Sequence, residues 1–385
     1  MMRAARWLGL VLLLGTGWTQ EFTSEQKTEV LNKVNEVLHD TAFVPGVDFD
    51  QWPKFFDSHR EAIEAATDRR SFLVQLNRTL REFGTSHIGV TVAKPKSKEG
   101  GSVRWNDLSK DCNSALPFAA LESNAGGAGW ISLFLDHPMR GIHSYPSVAL
   151  PQSELLAQEA PPQVPDAPSM QTLSWPDEHT ALLRLRTFSD GYKRSEVEKL
   201  MTDAAKADAL IIDLRGNPGG SVVNLQHFMS LLLPPKTVIG TMVSRRTAAA
   251  YKRVNKTETT PDGLEIAKWT DSKFRTAKLN QEPFKGKIAV LISRGSASAS
   301  EICAAALHEI SKAPLIGGNS AGAVLVSRVI GLPDGLEMKV PTADFYTPSY
   351  RRLEKNPLEP DAPIPPRDTE GCVAKALELL KATHS

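Results

Sequence analysis

The stretch Ala209-Leu-Ile-Ile-Asp-Leu-Arg-Gly-Asn-Pro-Gly-Gly220 constrains this chain more than any other. Its first four residues are apolar without alternation, the pattern of a strand covered on both faces by helices. Three glycines and a proline then end the strand within a few residues. The same design recurs at Lys287 to Ser293, a second buried strand, followed by Gly295-Ser-Ala-Ser-Ala-Ser-Glu301 and an apolar-faced helix to about Ser311. Around these, Thr180 to Phe188 and Pro314 to Gly317 read as strands, and Ser195 to Ala207 and Ser221 to Leu233 as helices. The alternation predicts a layered α/β core over residues 174–385. Pro261-Asp-Gly263 and Pro333-Asp-Gly335 read as turns of hairpins added to it.

Upstream the pattern changes. Val30, Leu31, Val34, Val37 and Leu38 recur at helical steps, as do Leu73, Leu76, Leu80 and Phe83, so residues 21–93 are expected to form a small helical bundle. Gly84 is a C-cap signal, Ile88 to Ala93 reads as the first strand, and His87 falls in the turn between them. Residues 94–173 are irregular, with Gly-rich and Pro-rich runs, and read as a connecting module. Residues 1–20 carry Arg3 and Arg6, an apolar Trp7 to Leu14 and the small Gly15-Thr16-Gly17, the layout of an export signal. The apolar run is shorter than the roughly 20 residues a spanning helix needs, so no stable membrane insertion is expected. The expected location is the periplasm or the extracellular space.

Two loops carry the candidate chemistry. Gly295 to Glu301 lies where a strand ends and a helix begins, a place where a serine can stand at an elbow among helix N-terminal amides. Ser298-Ala-Ser-Glu301 is equally a capping box, in which Ser298 would cap the Ser300 and Glu301 amides and Glu301 would reach back. The loop Gly216 to Gly220 frees backbone amides to point at one place, as an oxyanion hole requires, although a lone Gly-rich loop can be a plain tight turn.

Taken together, Leu-Ile-Ile-Asp-Leu-Arg-Gly-Asn-Pro-Gly-Gly and, some eighty residues on, Val-Leu-Ile-Ser-Arg-Gly-Ser-Ala-Ser-Ala-Ser-Glu resemble the C-terminal processing peptidases, a serine peptidase group that includes the tricorn core and the repeats of interphotoreceptor retinoid-binding protein. The resemblance implies a crotonase-like core of spiralling ββα units behind an N-terminal helical bundle, and places the nucleophile on Ser298. Many members activate this serine with a lysine after the next strand, but Ala323 occupies that slot here. The tricorn-like branch instead uses a histidine preceded by a serine, which Ser86-His87 matches, and a distant glutamate, for which Leu353-Glu354-Lys-Asn-Pro-Leu-Glu-Pro-Asp361 nominates Glu354. The family often inserts a PDZ domain before the core, and residues 94–173 have the length for one without its pattern.

The chemistry is coherent from the residues themselves. A serine hydroxyl needs a base titrating near neutrality, and histidine starts near 6.5. His87 could take the proton from Ser298 while Ser86 and Glu354 orient the ring, and amides of Gly219 or Gly220 and of Ala299 would hold the oxyanion. For His87 the bland alternative is a capped helix end or a satisfied core histidine, for Glu354 an exposed, salt-bridging glutamate, and His227 is the second candidate base. The expected partners are protein or peptide substrates, with a homo-oligomer left open. Lys+Arg 45 against Asp+Glu 44 gives a net charge of +1, which provides no field for nucleic acid. Three cysteines allow at most one disulfide, none of them has metal-ligand spacing, and no cofactor is expected. The rival reading is a non-catalytic crotonase-like protein that binds peptides or apolar ligands.

Overall fold

The computed structural model describes residues 21–93, 169–259, 262–365 and 367–382. The expected export signal and nearly all of the connecting module lie outside these residues. The chain divides into two units, one built of residues 1–42, 47–93 and 328–340, the other of 43–46, 94–327 and 341–385.

In the first unit α1 (Ser24–Asp40), α2 (Trp52–Glu64) and α3 (Arg69–Leu80) start at local signals. Thr23 and Gln26 form a reciprocal capping box, and Asp68 accepts the Arg70 and Ser71 amides at 2.8 and 3.0 Å. Val30, Val34, Val37 and Leu38 of α1 and Phe72, Leu76 and Leu80 of α3 are buried, the helical stripe read from the sequence. Gly84 closes the helical segment in the left-handed conformation at φ 61°. Strand β1 (Gly89–Val92) then pairs antiparallel with the beginning of a long strand near the C-terminus, Gly89 opposite Lys339 and Val92 opposite Leu336. The Asn77 side chain of α3 fixes β1 by accepting the Val90 amide at 2.7 Å and donating to its carbonyl at 2.8 Å.

The second unit is built on a six-stranded sheet. Its strands are β2 (Gln171–Asp177), β3 (Thr180–Leu185), β4 (Ala209–Asp213), β7 (Lys287–Ile292), β8 (Leu315–Gly317) and β11 (Ala362–Pro363), in the order β11-β8-β7-β4-β3-β2. Only the β2–β3 pairing is antiparallel. Helices α4 (Arg194–Ala204), α5 (Val222–Ser230) and α8 (Ala299–Ser311) contribute to the core on one face with Leu210, Ile212, Val290 and Ile292. Helix α9 (Thr369–Ala382) covers Ile211, Ala289 and Leu291 on the other. Coverage of both faces is why Ala209 to Ile212 carries no polar alternation. Every residue from Ala299 to Leu307 is buried, so α8 runs through the core.

The remaining elements are shared between the two units, residues 328–340 belonging to the first. Strand β5 (Val238–Ser244) pairs with β6 (Lys273–Arg275) and with the later half of β10 (Leu336–Tyr346), while β9 (Leu325–Leu332) pairs with β10. The Asp334-Gly335 turn, with both residues at positive φ, joins β9 to β10 as the hairpin expected there. The other expected hairpin is not formed. Asp262 instead accepts the Leu264 amide and starts helix α7 (Gly263–Trp269), which follows α6 (Arg245–Asn255). An Asp-Gly pair serves a turn or an N-cap equally well, and only the chain beyond it decides. The core also begins at Gln171, inside the segment assigned to the connecting module. Cys303 and Cys372 are free and buried, and Cys112 lies outside the described residues. Among the described residues no helix is long and apolar enough to cross a membrane.

Candidate active site

Because β4 and β7 are parallel neighbours, with Asp213 opposite Leu291, the two candidate loops leave the sheet side by side at the carboxyl ends of their strands. That is where ligands bind in open α/β sheets. Hydrogen bonds weld the loops together. The Gly216 amide donates to Ser293 Oγ at 3.1 Å and the Ala297 amide to the Asn217 carbonyl at 3.1 Å. Gly219 is pressed against the elbow at φ 88°, so that a Cβ there would stand 2.6 Å from the Ala297 carbonyl oxygen, 2.8 Å from the Ala299 nitrogen and 2.8 Å from Ser298 Cβ. Only glycine fits this approach.

The three alternating serines have different fates. Ser296 Oγ donates to the Leu214 carbonyl at 2.8 Å and Ser300 Oγ to the Asn217 carbonyl at 2.9 Å, and both residues are fully buried. Ser298 keeps exposed surface and has φ 56°, ψ −119°, a conformation that non-glycine residues rarely adopt. Its hydroxyl stands toward the Glu301 amide as in a capping box but makes no regular cap hydrogen bond. That amide bonds to the Ser298 carbonyl at 2.9 Å, and the Ser300 amide bonds to the Ala297 carbonyl at 3.1 Å. The reciprocal Ser298–Glu301 box read from the sequence is therefore present, while the Ser300 amide expected to share it turns to a main-chain carbonyl instead.

Glu301 supplies the other half of the box and much more. Its buried carboxylate accepts the Ser298 amide at 3.1 Å, Gly322 at 2.8 Å, Ala323 at 2.9 Å and the Ser320 hydroxyl. Burial raises its pKa, and these four donors act against the rise. The Ser298 amide also reaches the Ala323 carbonyl at 3.0 Å. The loop after β8 is therefore strapped to the elbow through Ala323, the position at which the resemblance implies a lysine in many members. Glu354 is buried, not exposed, and accepts the Val324 amide at 2.9 Å.

Among the expected oxyanion donors, the Gly219 amide is engaged, donating to Asn217 Oδ1 at 2.9 Å. The Gly220 and Ala299 amides make no hydrogen bond among the described residues. Asn217, which sequence reasoning missed, is fully buried and also donates from Nδ2 to the Leu185 carbonyl at 3.0 Å. The Asn-Pro-Gly run signalled a turn, but nothing local showed that the asparagine holds it to β3.

In the first unit Ser86 Oγ and His87 Nδ1 lie 2.7 Å apart, so this predicted pair is formed. His87 sits at φ 60° and keeps some exposed surface, yet protein surrounds its ring closely enough that desolvation holds its pKa well below 6.5, with the Lys339 charge acting in the same direction. The alternative base, His227, is buried and engaged at both nitrogens, by Tyr192 Oη at 2.8 Å and Glu198 Oε1 at 3.0 Å. Both of its ring nitrogens are thus satisfied within the core. Among the described residues no three His, Cys, Asp or Glu side chains cluster to hold a metal ion.

A partly exposed serine in a strained strand-to-helix turn, at a helix N-terminus and beside unengaged amides, defines a hydrolase-type elbow on an α/β sheet. Residues 179–364 match the model of Peptidase family S41. A carboxyl-terminal-processing protease of Synechocystis sp. is 30% identical over 189 residues, covering 49% of this chain and 38% of the relative. One from Picosynechococcus sp. is 29% identical over 190 residues, 49% of this chain and 40% of the relative. The chain thus spans well under half the length of these curated relatives. Among solved structures, one from Parabacteroides merdae has a TM-score of 0.53 at 12% identity, covering 92% of this chain and 96% of that one. A lipoprotein from Streptococcus agalactiae has a TM-score of 0.52 at 12% identity, covering 93% and 96%. These two likenesses concern the fold alone.

Proposed function

We propose that the protein is an exported serine endopeptidase of the carboxyl-terminal-processing type, with a crotonase-like core, acting on protein or peptide chains through an acyl-enzyme. The observation that carries this reading is the singular state of Ser298, partly exposed and without a regular cap bond while Ser296 and Ser300 are locked to carbonyls.

His87 is the proposed base. With Nδ1–H donated to Ser86 Oγ, its Nε2 keeps the lone pair needed to take a proton. Ser298 Oγ attacks the scissile carbonyl carbon and its proton passes to Nε2. The oxyanion forms against the Gly220 and Ala299 amides, each worth on the order of 3 kcal/mol of barrier. Collapse breaks the C–N bond, the leaving amine takes the proton from His87, and water then releases the acyl group by the same route. Glu354 is proposed to stabilise the imidazolium, as the resemblance implies. Export is supported by the composition of residues 1–20.

A fluorophosphonate probe and a short chromogenic peptide test this reading. Labelling and hydrolysis should both vanish in Ser298→Ala and persist in Ser296→Ala and Ser300→Ala. Unchanged hydrolysis by Ser298→Ala would overturn the nucleophile assignment.

A further inference from the structure

Tyr192, His227 and Glu198 form a hydrogen-bonded relay that the proposed reaction does not use. Tyr192 Oη lies 2.8 Å from His227 Nδ1, and His227 Nε2 lies 3.0 Å from Glu198 Oε1. A carboxylate only accepts, so Nε2 carries the ring proton, Nδ1 keeps its lone pair, and the Tyr192 hydroxyl donates to it. Tyr192 and His227 of α5 are buried, while Glu198 of α4 is half exposed.

The relay reaches the oxyanion loop through Phe188. The Tyr192 ring stacks on Phe188 with centroids 5.8 Å apart, and the Tyr192 amide donates to the Ser189 carbonyl at 2.8 Å, closing a tight turn. At the head of that turn the Phe188 amide donates to the Gly219 carbonyl at 2.9 Å and the Ser221 amide to the Phe188 carbonyl at 3.0 Å, a single parallel bridge. Backbone groups alternate along such a segment, so the Gly220 amide between them faces away from Phe188. Gly220 also lies flush with the turn, since a Cβ there would stand 2.3 Å from both the Phe188 carbonyl carbon and the Ser189 nitrogen. A shift of Phe188 is therefore passed on to the Gly220 amide.

We propose that Tyr192 is a positioning residue for the oxyanion donor: its hydroxyl, tied to α5 by His227 and through it to Glu198 of α4, fixes Phe188 and thereby the Gly220 amide. The inference rests on Ser298 being the nucleophile and Gly220 an oxyanion donor.

The test is kcat and KM on the chromogenic peptide for wild type, Tyr192→Phe, Glu198→Ala, Glu198→Gln and Ser298→Ala. Active sites are counted by end-point fluorophosphonate labelling, and the Gly220 amide is followed by NMR with a peptide aldehyde whose hemiacetal oxygen enters the hole. Tyr192→Phe removes the hydroxyl and keeps the stacked ring. Its kcat per labelled site should fall about 10-fold with KM unchanged, short of the roughly 10²–10³-fold cost of losing a donor outright. The Gly220 resonance should move with it. Glu198→Ala, a change at the exposed end of the relay, carries the same expectation should the phenylalanine variant fail to fold. Glu198→Gln, which still accepts from Nε2, should keep the wild-type values. Wild-type kcat per site and an unmoved Gly220 resonance in Tyr192→Phe and Glu198→Ala, together with an inactive Ser298→Ala, would overturn the role of the relay alone. A Ser298→Ala variant that still hydrolyses the peptide would instead overturn the reading on which the inference rests.

Discussion

Replacing Gly219 by alanine tests the contact between the glycine loop and the elbow most directly. The new Cβ would lie 2.6 Å from the Ala297 carbonyl oxygen and 2.8 Å from both the Ala299 nitrogen and Ser298 Cβ, where ordinary contact begins at 3.4 Å. Two of these neighbours are backbone, so no rotamer change relieves them. The loops must separate by roughly 0.8 Å at the nucleophile. A misplacement near 1 Å costs about 10²-fold in rate, so kcat/KM should fall by about 10- to 100-fold. Stability should fall too, by ~1–2 kcal/mol for a side chain at positive φ and ~1–3 kcal/mol for overpacking. Gly216→Ala is the control, because it sits at φ 73° with nothing within 4 Å of its added Cβ. It should lose only the conformational part and keep its rate. Urea unfolding and hydrolysis of a chromogenic peptide, run on both variants, read the two quantities separately. Equal kcat/KM in the two would refute the claim that the loop presses on the nucleophile.

Other outcomes follow from the same geometry. Ser298→Ala should stay within about 1 kcal/mol of wild-type stability by denaturant titration, since its amide and carbonyl keep their partners. Glu301→Gln turns an acceptor into a donor amid four donors, and should cost about 1–3 kcal/mol and lower kcat more than it raises KM. Unchanged stability and rate in that variant would show that the carboxylate does not brace the elbow. His87 is held neutral in the folded chain, so the stability this confers is complete above about 6.5, its unfolded value, and declines as pH falls toward the depressed folded value. His87→Gln should therefore flatten the pH dependence of unfolding free energy below 6.5, and identical slopes would refute the assignment.

Much of this protein could be read locally. The unbroken apolarity of Ala209 to Ile212, the three- and four-residue spacing through α1 and α3, Gly84 as a terminator and Asp334-Gly335 as a hairpin turn are each written within a few residues. Backbone period and capping depend on neighbours in sequence, so such signals survive without tertiary information. The two loops stood out by their glycines and alternating serines, whereas the Ser86-His87 pair was pointed to by the resemblance to the tricorn-like branch. What tertiary structure decided is which polar groups are in use. Ser296 and Ser300 differ from Ser298 because their hydroxyls meet carbonyls 82 and 83 residues away. The Gly219 amide is occupied because Asn217, anchored to β3, turns its side-chain oxygen back onto it. Glu301 looks like an ordinary cap residue in the sequence, yet in the fold it gathers a loop some twenty residues downstream. Buried polar groups must find partners wherever packing places them. That requirement is met across the whole chain at once, which is why local motifs and the family resemblance supplied the candidates while only the folded chain sorted engaged groups from free ones.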